Sequence, residues 1–116
     1  MVRIDEDLVI EVNKKQIPVY AEGDAPEVLP DEYFTFNEDS TTDNLSADNE
    51  PKEYLYEFTL KYYTKDATTL YSRLIDALTL LKSKGYITSG VGYANGTYRD
   101  MWFSRQADIK KIEYLN

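Results

Sequence analysis

The chain has no cysteine and no histidine. Without cysteine there is no disulfide framework, no thiolate nucleophile and no zinc–cysteine site. Without histidine, the commonest general base and the commonest transition-metal ligand are both missing. Serine and threonine hydroxyls lose their usual activating partner, and no lysine stands at a nucleophile-like spacing. No apolar run approaches the roughly 20 residues of a membrane helix. The first residues, Met1-Val2-Arg3-Ile4-Asp5-Glu6-Asp7, are acidic and lack a signal peptide's apolar centre, so an intracellular soluble protein is expected. Bases are outnumbered: 13 Lys and Arg face 21 Asp and Glu, for a net charge of −8. A phosphate-binding face needs the opposite balance, which argues against direct nucleic-acid contact.

What the chain does have is unevenly spread. Residues 22–53 hold eleven of the acids and one base, Lys52, while the rest is slightly positive. Such segregation suggests an acidic side that either stays solvated or meets a basic partner or another copy of the chain. Tyrosine is abundant, at 11 in 116 residues. Tyrosine suits places where one end is dry and the other wet, as at interfaces.

The centre of the chain carries the strongest pattern. From Tyr54 to Thr64, Tyr54, Tyr56, Phe58, Leu60 and Tyr62 alternate with Glu57, Thr59 and Lys61, which predicts a half-buried strand over 53–64. Leu70, Leu74, Ala77, Leu78 and Leu81 then recur at helical spacing, widened by Tyr71 and Ile75. Asp66 is a natural N-cap, Lys82 and Lys84 suit the last turn, and Gly85 suits the left-handed C′ position, so a helix is expected over 67–84.

Elsewhere the patterns are weaker. Acids at 5–7 and lysines at 14–15 favour a short helix over 5–14, although Val9, Ile10 and Val12 prefer strands. Ile17-Pro18-Val19-Tyr20 reads as an edge strand or strand start, because Pro18 cannot donate to a ladder. Glu32 to Phe36 reads as a second strand. Residues 37–51 contain only Leu45 and Ala47 as apolar members before Pro51, and a long acidic mobile loop is expected there. Tyr86 to Thr88 begins another strand, and Asn95-Gly96 is a hairpin signal. Strands are expected over Tyr98–Ser104 and Ile109–Leu115, with a kink or turn at Arg105–Asp108. Together these elements predict one α+β domain over 1–116. Its mostly antiparallel sheet of about four to five strands packs against the helix at 67–84 and a short N-terminal helix.

No motif points to catalysis or a cofactor. Neither Asp39 nor Asp43 starts a calcium loop, since the central glycine is missing and Leu45 falls on a ligand offset from Asp43. Gly90-Val91-Gly92 lacks the third glycine and the following helix of a phosphate loop. The carboxylates lie in polar sequence with nothing to raise their pKa. A non-enzyme without metal or cofactor is expected. Tyr63 points away from the other tyrosines of its strand. With Tyr98 and Trp102 it is a candidate for contact with another chain.

Three stretches resemble one family. Ile17-Pro18-Val19-Tyr20, Pro30-Asp31-Glu32-Tyr33-Phe34-Thr35-Phe36, and the strand-then-helix from Tyr54 to Leu81 look like the small tail-terminator and tail-completion (neck) proteins of long-tailed bacteriophages and prophages. The resemblance implies a small α+β domain that forms a ring, usually hexameric, at the head-proximal end of the tail tube. It also implies tail-tube and head-connector partners, and a place in the host cytoplasm and then in the virion. In such a ring the acidic residues Asp39, Asp43, Asp48 and Glu50 are expected to face Arg99, Lys110 and Lys111 of a neighbour or tail partner. Two competing readings are an acidic inhibitor or DNA mimic, and a small ligand-binding regulatory module.

Overall fold

The alternating run at the centre of the chain forms the middle strand of a sheet. The computed structural model describes residues 2–45, 51–98 and 102–114, with 44, 45, 51, 52 and 96–98 described by backbone alone. In chain order the elements are α1 (Ile4–Asp7), β1 (Glu11–Val12), β2 (Lys15–Gln16), β3 (Val19–Ala21), β4 (Glu32–Leu45), β5 (Pro51–Thr64), a 3-10 turn (Ala67–Thr69), α2 (Leu70–Ser83), β6 (Ile87–Thr88), β7 (Tyr93–Tyr98) and β8 (Trp102–Tyr114). β1 and β2 form a separate hairpin; the other six strands form one sheet in the order β3-β4-β5-β8-β6, with β7 also on β8. Only the β3–β4 pair is parallel. The fold is α+β and mostly antiparallel, as the sequence predicts.

The helix lies on one face of the sheet. Leu74, Ala77, Leu78 and Leu81 are buried against Phe34, Phe58, Leu60, Tyr62, Ala107 and Ile109. The 3-10 turn that leads into α2 carries the expected Asp66 cap and α2 stops where expected, whereas Thr69, the N-cap of α2 itself, makes no side-chain cap bond. Asp66 accepts from the Thr68 amide at 3.0 Å. At the other end Gly85 takes φ +90, its N–H donates to Lys82 O, and the Tyr86 N–H donates to Leu81 O. That is the six-to-one, five-to-two closure of a left-handed C-cap, and the buried pair Leu81 and Tyr86 seals it.

Three expectations fail, each for a stated reason. The N-terminal helix is a single turn, not 5–14. Asn13 and Lys14 both adopt positive φ, so Val12 pairs with Lys15 across a two-residue turn. Asparagine tolerates that conformation, and the strand preference of Ile10 and Val12 outweighs the charge order. The single turn still matters, because Ile4 and Leu8 are fully buried.

The second failure is the long loop. Residues 37–45 continue β4, and Pro51 already belongs to β5; 46–50 lie outside the described residues. β5 is held on its far side by β8 from Glu53 to Thr64, so its backbone is extended and offers a ready ladder to the polar chain beside it. Local side-chain bonds add to the ladder. Thr59 Oγ1 donates to Asp39 Oδ2 at 2.7 Å, and Ser40 Oγ donates to Glu57 Oε2 at 3.1 Å. A register shift between Glu38 and Ser40 makes Asp39 the extra residue of a bulge.

The third failure is in the C-terminal strands. Asn95-Gly96 is not the hairpin turn: the two residues lie inside β7, where the register shifts between Ala94 and Thr97. Asn95 Nδ2 donates to Ser104 Oγ across this bulge. Nor do Arg105–Asp108 kink. β8 runs unbroken, because β5 pairs with it through Lys61–Gln106 and Thr59–Asp108.

Two core tyrosines make stability depend on alkaline pH. Burial pushes Tyr62 up to about 12 from 10.0, partly offset by the Thr69 and Thr64 hydroxyls. Tyr86 is raised too, chiefly by burial and then by the Asp7 carboxylate, to which it donates at 2.6 Å. A raised folded-state pKa contributes stability that is whole below the unfolded value and is lost as pH climbs through the folded one. Urea midpoints are therefore expected to fall between about pH 10 and 12, the window set by Tyr62. In Tyr62→Phe the fall should be shallower. Equal slopes for both proteins would refute the assignment.

Candidate functional site: the sheet face without a helix

Sheet parity divides the side chains. Phe34 and Tyr62 face α2, so their neighbours Tyr33 and Tyr63, which pair with each other, face away. Tyr33 and Tyr63 stack at 4.9 Å between ring centroids with 16° between planes. Trp102 meets Tyr33 edge-on at 5.6 Å, and Tyr20 of β3 does so from the other side at 6.0 Å. Lys65 Nζ sits 5.2 Å from the Trp102 ring centre, a cation over an aromatic face. β3, β4, β5 and β8 thus each contribute one ring to a single cluster. Tyr33 is buried within it, while Tyr20, Tyr63 and Trp102 stay half-exposed.

Beside the rings lies a shallow cleft, about 440 Å³, lined by Tyr33, Tyr63, Lys61, Glu22, Asn95 and Gln106 among others. Lys61 and Glu22 pair across it at 3.8 Å. Further along the same face, Lys110 pairs with Glu57 at 3.6 Å. The surface is aromatic at one end and polar with balanced charge at the other. Tyr and Trp in such a setting are the residue types that carry binding energy at protein interfaces.

The sequence-predicted residues separate on this frame. Tyr63 and Trp102 are brought together through Tyr33. Tyr98, the last residue of β7, pairs by backbone with Trp102, the first of β8. Lys110 and Asp39 are on the same face. Asp39 is engaged, accepting from Thr59 and, at 2.9 Å, from Asn37 Nδ2. Asp43 pairs with Tyr54 and so lies on the opposite face of the β4–β5 ribbon. Lys111 is also on the helix side. Its Nζ donates to Lys84 O at 2.6 Å and stands 4.9 Å from the Tyr86 ring centre, so it caps α2. Asp48, Glu50 and Arg99 lie outside the described residues.

Sequence reasoning missed Tyr20, Tyr33 and Lys65. A signal for Tyr33 was present, because it is out of phase with Phe34 and Phe36. Nothing local indicates that Tyr20 reaches it, since that contact depends on a parallel pairing of β3 with β4.

Asp39 projects from one face of the ribbon and Glu38 and Asp43 from the other, given the pairings Glu38–Phe58 and Asp43–Tyr54. Among the described residues no three His, Cys, Asp or Glu side chains are placed to hold a metal ion. Hydrogen bonds from the Thr68 hydroxyl and amide hold Asp66 below the usual carboxylate range. This shift suits a helix cap and moves the group away from neutrality. Among the described residues no helix is long and apolar enough to cross a membrane. No protein-family model matches this chain, and no curated protein matches it.

Proposed function

We propose that this protein is a structural component of a phage or prophage tail. In this reading it acts as a terminator or completion protein, forming a ring at the head-proximal end of the tube and joining tail to head. The observation that carries the reading is the aromatic cluster of Tyr20, Tyr33, Tyr63 and Trp102 on a sheet face that no helix covers among the described residues. Half-exposed rings around a buried one are a surface suited to another protein chain. The α+β fold, with a Leu-rich helix directly after the central strand, also agrees with what the sequence resemblance implies. The partners in this reading are further copies of the chain, the tail tube and the head connector. In this reading the protein acts by binding and not by catalysis.

The test is genetic and structural together. Deleting the gene in its phage should give tails of uncontrolled length or heads without tails in electron micrographs. Normal tails from the deletion strain would sink the reading. Complementation with a chain carrying Asp43→Lys, Asp48→Lys and Glu50→Lys examines the acidic side separately. Asp43 is exposed and has no ion-pair partner among the described residues, so its reversal should leave the subunit folded. If the acidic surface meets a basic partner, joining fails and assembly in vitro weakens as salt rises.

A further inference from the structure

We propose that the loop at residues 22–31 of one copy docks into the slot between α2 and β6 of a second copy, joining subunits head to tail; this deepens, and rests on, the ring reading above. The loop presents an apolar tip. Val28 is 87% exposed and Leu29 36%, between Pro26 and Pro30. Both ends of the loop are pinned: the Glu22 N–H donates to Phe36 O, the Asp24 N–H to Ala21 O, and the Lys65 N–H to Asp31 O. Two prolines and three anchoring bonds reduce the entropy lost when such a tip is held by a partner. Its charges are all of one sign, with Glu22, Asp24, Glu27 and Asp31 and no base between 22 and 31.

The slot complements it in shape and sign. Ile75, Leu78, Thr88 and Val91 line about 180 Å³, with Val91 itself 45% exposed. Lys82 lines the same slot, and Lys84, also exposed, stands at the same end of α2. A branched aliphatic side chain entering here has apolar walls, and Glu27 beside it has a lysine to meet.

The topology makes this a contact between copies. The loop follows β3, the first strand in the sheet order, and the slot borders β6, the last. The two surfaces sit at opposite edges of one sheet. A contact between unlike patches is heterologous, so it repeats from copy to copy and closes into a ring when the rotation allows. An isologous dimer would need one patch to meet itself, and neither patch has the charge to do so.

The absence of cysteine makes the test clean. Val28→Cys and Val91→Cys are prepared as separate proteins, mixed at rising concentration and oxidised. Unchanged thermal unfolding of each variant, both altered at exposed sites, establishes that they fold. Mixed disulfide dimers should form well above the level of either protein alone, and a chain carrying both changes should give a ladder of larger species. Val28→Glu should weaken association about ten-fold or more, the size of losing one central interface contact. Glu27→Lys and Lys82→Glu should each weaken association, and the two together should restore it. Dimers of Val28→Cys with itself only, or no mixed dimers at any concentration, would overturn the contact. A ring that sediments normally while the cross-link fails leaves the ring reading standing without this contact. The cross-link with normal tails from the deletion strain leaves the contact standing without the tail reading.

Discussion

Gly92→Ala should cost about 2–5 kcal/mol of stability, through backbone strain and a collision together. Gly92 has φ +72, a conformation that side chains with a Cβ rarely adopt. A Cβ there would stand 2.3 Å from Gln106 O and 3.0 Å from Leu74 Cδ2. The first of these atoms is backbone in the middle of β8, held by β5 through Lys61–Gln106, so it cannot move aside cheaply. Gly92 O also accepts from Arg105 Nη2 at 3.0 Å, which fixes the turn against the same strand. Gly90→Ala is the control. Its φ is +69 but nothing lies within 4 Å of the added carbon, so it isolates the strain term. That variant should lose only about 1–2 kcal/mol. Urea unfolding of the two variants gives the collision term as their difference. Equal losses would mean that the close approach of Gly92 to β8 is wrong.

Leu74→Ala should cost about 2–5 kcal/mol. Leu74 is fully buried and lies on the face of α2 that meets the sheet. Its neighbours are strand side chains held by ladders on both sides, which limits collapse into the space left behind. Val28→Ala, at a site 87% exposed, should stay within about 0.5 kcal/mol. Both large losses are a sizeable share of the 5–15 kcal/mol that typical domains possess. The two sites also touch, so Leu74→Ala with Gly92→Ala tests which contact dominates. Removing Leu74 relieves only the 3.0 Å neighbour and leaves Gln106 O in place. The double variant should therefore be close to additive. A double variant as stable as Leu74→Ala alone would show that the leucine, not the strand backbone, excludes a side chain at 92.

The candidate surface was partly legible. Tyr63 can be picked out by parity, since it alternates with Tyr62, and Trp102 by residue type alone. Their convergence could not be, because it runs through Tyr33 and requires the exact pairing of three strands. The charged candidates fared differently. Lys111 reads as an available cation in sequence, and the structure turns it to the end of α2, where it satisfies Lys84 O. A residue's parity within β8 decides that, and parity is set by a register no local signal specifies.

Local physics alone determined the helix with its Asp66 cap and Gly85 stop, the central strand, and the α+β class. Each rests on neighbours within one turn or on strict alternation, so composition and spacing suffice. Tertiary structure alone decided that residues 37–45 are strand and that Asn95-Gly96 is a bulge. A polar segment has no burial to drive its order. It becomes a strand only because β5, fixed on its other side by β8, supplies a ladder for its backbone. The same long-range pairing gathers four rings from four strands onto one face, and sequence distance hides every one of those contacts.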